Sequence, residues 1–229
     1  MNPWLVFSLL LLGIWFIIFL VAKGLRKKMF IVSLITMPFG LTELLFVPAY
    51  WNPPSLFDLS AKTGFDIESL IFSFAVGGIG AVLYDFLFKN YEKKIGKKEM
   101  QSSRHKFHLA AIFSPLTIFL LLEMFTELNP IYLASISMFV GGIAIILCRP
   151  SLKNKIFVGG ILFSTLYFLF FLFITLIYPN IVEEVWNLEA ISGILMLGVP
   201  LEEFIFAFTF GMMWSGIYEH IFWRKSRKI

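Results

Sequence analysis

Five carboxylic acids stand inside or at the edge of strongly apolar segments: Glu43, Glu68, Glu123, Glu202 and Glu203. Acidic side chains are costly in such surroundings and usually face a protein interior or a cavity. A carboxyl group against apolar walls can keep its proton at neutral pH and act as an acid, while a second one in a more polar setting stays ionised and accepts a proton. Glu68, Glu202, Glu203 and Glu43 are therefore the candidate catalytic groups. Glu203 lies about 100° around a helix from Glu202, so both can border one cavity without pointing the same way. A structural reading competes: Glu68, Glu202 and Glu203 fall in first helical turns, where carboxylates meet unpaired N–H groups and the positive end of the dipole. Glu43, in Gly40-Leu41-Thr42-Glu43, reads equally well as a neutral buried acid bonded to another helix.

Aromatic side chains follow the acids at helical spacing. One stripe runs Glu68, Phe72, Ala75, Ile79 and another Glu202, Phe206, Thr209, Met213. Such stripes are common in ordinary packing, but aromatic faces also stabilise cations in a desolvated site. Phe72 and Phe206 are thus expected to line a substrate site.

The two stripes belong to a longer self-similarity. Gly64–Phe88 lies over Gly198–Phe222 at a constant offset of 134 without a gap, with 8 of 25 positions identical. Glu68/Glu202, Gly77/Gly211 and Tyr84/Tyr218 are among the identities, and Asp85/Glu219 is conservative. Trp51-Asn52 precedes Glu68 much as Trp186-Asn187 precedes Glu202, and Asn2-Pro3 is echoed by Asn129-Pro130. The pattern predicts two three-span units, residues 1–88 and 129–229, joined by a basic linker and a connector span over 89–128. An odd connector restores direction, so the units run parallel about an axis along the membrane normal.

The elements that must hold these residues are membrane spans. The chain has 229 residues, 59% of them hydrophobic and only 15% charged, against about 45–50% and 25% in soluble domains. A mean hydropathy of +0.84 agrees. A span takes roughly 20 apolar residues, and seven segments qualify: 3–22, 29–50, 66–88, 108–126, 130–148, 156–178 and 191–223. The last is long enough to predict a short interfacial helix near 188–197 and a span beginning near Val199. The expected fold is all-α, with seven transmembrane helices arranged 3+1+3. Of the 19 basic residues, 18 lie on one side and only Lys62 opposite, which places the N-terminus outside and the C-terminus in the cytoplasm of a multi-pass cell-membrane protein. The run of lysines over 89–107 is this topology signal and not a nucleic-acid patch. The first span has no basic region before it and no small-residue cleavage site, so it reads as retained.

Other chemistries find little support. The single cysteine, Cys148, excludes an internal disulfide and a Cys-rich metal or iron–sulfur site. His105, His108 and His220 lie in the linker or near the basic ends of spans, and no His/Asp/Glu group has metal-ligand spacing. Phosphate and dinucleotide glycine motifs are missing. No metal and no cofactor is expected. Tyr84/Tyr218 with Asp85/Glu219 read as interfacial belt and anchor; the glycines near them read as close helix contacts.

The segment Gly198-Val199-Pro200-Leu201-Glu202-Glu203-Phe204-Ile205-Phe206 resembles the Pro-x-Glu-Glu signature of the membrane-embedded lycopene cyclases, whose bacterial heterodimeric, archaeal fused and fungal types share two homologous three-span units. Trp51-Asn52-Pro53 resembles the Trp/Asn-Pro element preceding the first acidic motif of that family. The first unit departs from the pattern: Asp66-Ile67-Glu68-Ser69 keeps one Glu and lacks the proline. The resemblance implies a non-redox isomerase (intramolecular lyase) acting on a lipophilic polyene in the bilayer. It would protonate a terminal double bond, close a ring through a carbocation and remove a ring proton. Glu68 and Glu202 would be acid and base, with Glu203 tuning them. Trp51, Asn52, Trp186, Asn187 and Pro200 would join Phe72 and Phe206 around the substrate, and carotenoid-pathway enzymes would be partners. A 3+1+3 small-molecule transporter is the rival reading, although the polar groups gather near one end and not at the midplane. A seven-span binding or receptor protein for a polyene or retinoid is the other. A retinal Schiff base is excluded there, since no lysine lies between Val199 and Trp223.

Overall fold

The computed structural model describes residues 2–96 and 100–228, so Lys97 and Lys98 of the basic linker lie outside the described residues. Asn2 opens helix α1 (Pro3–Val21) by accepting the Trp4 and Leu5 amides on Oδ1, with Pro3 filling the first turn, where no N–H partner is needed. Asn129 and Pro130 open α7 (Pro130–Cys148) in the same way. A short 3-10 turn leads from each into the next helix, α2 (Arg26–Thr36) and α8 (Lys153–Ile177).

The second span is not one smooth helix. At Thr36 the α-helix tightens into a 3-10 stretch over Met37–Thr42, with Pro38 at its start, and ends in one α-turn, α3 (Glu43–Phe46). The expected end at residue 50 therefore comes earlier. Gly40 is the reason for the close approach here: a Cβ at this position would stand 2.6 Å from the Ser69 carbonyl oxygen.

The two longest-matched helices have equal lengths and bounds at the 134 offset: α5 (Ile67–Leu87) and α10 (Leu201–Ile221). The glycine before each, Gly64 and Gly198, adopts the left-handed backbone at φ 82° and 83°, a conformation that costs a side-chain-bearing residue more. Helix α5 packs on α1 and α2, and α10 packs on α7 and α8; α5 then meets both α10 and α8 across the middle. Helix α6 (His108–Phe125) packs chiefly on α7 and buries only His108 and Ala111. Strands β1 (Asn90–Lys94) and β4 (Arg224–Lys228) follow α5 and α10 and pair antiparallel with each other, Asn90 opposite Lys228 and Lys94 opposite Arg224.

Six segments are long and apolar enough to cross a membrane, Pro3–Val21, Lys23–Phe46, Ile67–Leu87, Ser103–Phe125, Pro130–Cys148 and Pro150–Ile177. This is a mostly helical, multi-pass membrane protein. The seventh expected span, α10, is a helix of 21 residues but falls outside that set, since Glu202 and Glu203 at one end and Glu219 and His220 at the other lower its hydropathy. The interfacial helix expected near 188–197 is corrected too. That segment holds a 3-10 turn, Leu188–Ala190, followed by β2 (Leu195–Met196) paired back onto β3 (Val199–Pro200). A helix was expected because the segment is apolar; glycines at 193 and 198, both at positive φ, turn the chain back instead.

Candidate active site

Helices α5 and α10 each run about 30 Å, so Glu68 and Glu202 stand at one end of the bundle and Asp85 and Glu219 at the other. At the glutamate end the two Trp-Asn loops cross. Trp51 and Trp186 form an antiparallel bridge, and the Asn52 amide donates to the Val185 carbonyl (2.7 Å) while the Asn187 amide donates to the Tyr50 carbonyl (2.9 Å). The side chains of Asn52 and Asn187 are exposed; Asn187 Nδ2 reaches only the Ala49 carbonyl at 3.4 Å. Their structural contribution is thus made through the backbone. Pro200 is buried at the start of α10.

Glu68 and Glu202 are held alike. Glu68 Oε1 accepts from Asn2 Nδ2 (2.9 Å) and the Leu56 amide (2.7 Å). Glu202 Oε1 accepts from the Tyr132 hydroxyl (2.6 Å) and the Ser192 amide (3.0 Å). In each the other oxygen, Oε2, is buried and has no hydrogen-bond partner among the described residues. Among those residues no hydrogen bond joins Glu68 to Glu202; each acid is held by its own half of the chain.

Glu203 is different. Its Oε1 accepts from the Tyr50 hydroxyl and from Trp186 Nε1 (2.9 Å), and its Oε2 from the Tyr167 hydroxyl (3.1 Å). A carboxyl group with three donors and both oxygens engaged is rigidly held behind an aromatic surface. Deep burial, and then the hydrogen-bonded Glu203 carboxyl, push the Tyr50 hydroxyl, which lies outside the helical spans, well above its ordinary titration range, so it stays a donor. The position equivalent to Glu203 in the first half is Ser69. Its hydroxyl donates to Glu43 Oε2 (3.0 Å) and receives Trp4 Nε1 (3.4 Å), while its amide is capped by Asp66 Oδ1 (2.6 Å). Glu43 Oε1, too, has no hydrogen-bond partner among the described residues.

Between the two acid groups lies a wall of rings. Trp51 meets Trp4 edge-on (4.5 Å between ring centres) and tilts against Trp186 (5.4 Å). Phe72 sits between Trp4 (5.2 Å) and Tyr167 (6.3 Å), and Phe206 stacks on Phe210 (5.9 Å), which stacks on Trp214. An open cavity of about 430 Å³ adjoins this wall, lined by Pro3, Asn52, Pro53, Ser55, Ile181 and Val185 among others. Glu123 is exposed on α6 and takes no part.

Sequence reasoning missed Tyr50, Tyr132 and Tyr167, the donors to Glu202 and Glu203. A lone tyrosine in an apolar segment carries no signal until its partner is known. The pairing of Asp85 and Glu219 was also misread. Both are buried, and they close a box with Lys28 and Lys155: each lysine Nζ lies within 2.7 Å of both Asp85 Oδ2 and Glu219 Oε1. Tyr84 and Tyr218 lie beneath the lysines, Lys155 over Tyr84 and Lys28 over Tyr218. The lysines were counted as topology signals at the membrane surface; the structure turns two of them inward to pair across the halves.

No curated protein and no solved structure matches the chain. Residues 129–221, from the start of α7 to the end of α10, match the family model described as Lycopene cyclase, so this part of the chain is similar to that family.

Proposed function

We propose that the protein is a carotenoid cyclase of the cell membrane that isomerises the end group of a lycopene-type polyene without redox chemistry. The observation that carries this reading is the matched pair Glu68 and Glu202, each clamped through Oε1 with Oε2 left buried and unpartnered. Donors on one oxygen leave a proton only the other to occupy, and from there a substrate carbon would take it. One carboxyl adds its proton to the terminal double bond. The π bond of the neighbouring alkene closes the ring, and the resulting cation loses a ring proton to the other carboxylate. Atoms and electrons balance, and the acid groups end with their protons exchanged. The ring wall, held in place by the hydrogen-bonded Glu203, favours the cation on its way.

The likeness of the halves supports a 3+1+3 plan of two parallel units, 1–88 and 129–229, with α10 as the seventh span and the lysine end in the cytoplasm. Helix bounds, caps and left-handed glycines recur at fixed offsets. In this plan Glu43 supplies the second carboxylate of the first unit. Ser69 has taken the place of a Glu203 equivalent, and Glu43 from α3 reaches its hydroxyl. The cavity beside Asn52 and Pro53 admits the end group, and the rest of the polyene lies along the bilayer.

The test is expression in cells that accumulate lycopene. Conversion to cyclic carotenoid is expected; unchanged lycopene with well-expressed, membrane-inserted protein defeats the reading. No specific observation favours a transporter, because the polar groups cluster at the two ends of the bundle.

A further inference from the structure

All three histidines and the single cysteine of the chain gather at the lysine end, remote from the glutamates. His105 lies in the middle of the 3-10 segment Ser103–Phe107 and His108 begins α6, so the two rings emerge on adjacent turns. Cys148 closes α7 between them: His105 Nδ1 lies 3.3 Å and His108 Nδ1 3.8 Å from its Sγ. The three ligand atoms lie within 4.8 Å of one another. A tetrahedral zinc ion with ordinary Zn–S and Zn–N bonds separates sulfur from nitrogen by about 3.6 Å, between the two observed distances.

A second observation points to a missing occupant. His220, near the end of α10, is fully buried, and neither Nδ1 nor Nε2 has a hydrogen-bond partner among the described residues. Its ring lies 4.2 Å from that of His108. Buried polar groups are nearly always satisfied, and one that is not calls for an ion or water. Trp223 stacks on His108 (4.1 Å) and meets His105 edge-on (4.9 Å), covering the group with an apolar lid.

We propose that His105, His108 and Cys148 bind a zinc-class divalent ion, with His220 completing the tetrahedron after a small turn of its ring. Three neutral imidazoles and one thiolate form a ligand set of borderline softness, suited to zinc and poorly suited to magnesium or calcium. The thiolate supplies the negative charge that makes the ion acceptable beside Arg149. The ligands come from the segment before α6 and from the ends of α7 and α10. The ion therefore fastens the charged linker to the second half of the bundle, a structural role independent of cyclisation.

The experiment is a cobalt titration of detergent-purified full-length protein, carrying no histidine tag and stripped with a chelator. One equivalent of Co(II) should give the visible bands of a tetrahedral site and a near-ultraviolet sulfur-to-cobalt charge-transfer band, and Zn(II) should displace both. Cys148→Ser should abolish the charge-transfer band. His105→Gln, at a half-buried position less critical for folding, should weaken cobalt binding at least tenfold. Folded protein that binds no cobalt overturns the proposal. So does cobalt bound without a thiolate band, or binding unaltered in both variants.

Discussion

Ser69 and Glu43, 26 residues apart on different helices, share a buried hydrogen bond of 3.0 Å, at the point where the second half of the chain carries Glu203 on the same helix as Glu202. Gly40 makes the approach of the two segments possible. If the carboxylate of Glu43 does the work of the one absent from position 69, Glu43→Ala should lower cyclisation roughly a hundredfold. Ser69→Glu in that background should restore much of it. Product formation by the single and double variants in lycopene-accumulating cells, at matched protein levels, checks this. A double variant as inactive as Glu43→Ala would make Glu43 a packing residue.

Glu68→Gln and Glu202→Gln keep the shape and the Oε1 acceptor but remove the transferable proton. Each should reduce turnover by about 10²–10⁴ with little loss of stability. Glu203→Gln should behave otherwise. It places an NH2 group against hydroxyl or indole donors, and the unpaired contacts cost about 1–3 kcal/mol. Thermal unfolding in detergent, measured beside product formation, separates the groups. Stable but inactive Glu68 and Glu202 variants are expected, against a destabilised Glu203 variant.

The sequence made the acids legible because a charged residue in an apolar run is conspicuous, and the pairing of Glu68 with Glu202 was legible because the offset of 134 is unbroken. Their division of roles was not. Glu202 and Glu203 are neighbours in sequence, yet one keeps a free oxygen and the other spends both on Tyr50, Trp186 and Tyr167, partners 17 to 153 residues away. Lys28 and Lys155 were misread because positive charge near a span end normally reports topology; only the fold shows that acids from α5 and α10 await them. The histidines were set aside on position and spacing, which do not reveal that the start of α6 and the ends of α7 and α10 bring them together around Cys148.

Glu92 on β1 lies 3.9 Å from Lys28, and burial pushes its carboxyl above the ordinary value of 4.5 despite that lysine. The folded state then holds the proton more tightly than the unfolded chain. Its contribution to stability is complete below pH 4.5 and is lost as pH rises through the higher folded value. Glu92→Gln should therefore melt at a higher temperature than the parent at neutral pH, with the gap closing on acidification below that value. Melting curves across the acidic range read this directly, and a gap independent of pH would assign the effect to packing.

The box of Lys28, Lys155, Asp85 and Glu219 joins the two halves through four buried charges that sum to zero. Removing one cation leaves the acids short of a partner in an apolar interior, so Lys28→Met should cost about 3–5 kcal/mol. Removing one charge of each sign leaves Lys155 and Glu219 at 2.5 Å as an intact neutral pair. Lys28→Met with Asp85→Leu should therefore be more stable than Lys28→Met alone, since a buried pair replaced by apolar groups is often neutral. The residual cost comes from Ser226, whose hydroxyl donates to Asp85 Oδ1 and would turn to solvent. Thermal unfolding of the two singles and the double completes the cycle. Additive losses would mean that the four residues act separately, and the halves would then be held together by the seam of α5 against α10 and α8.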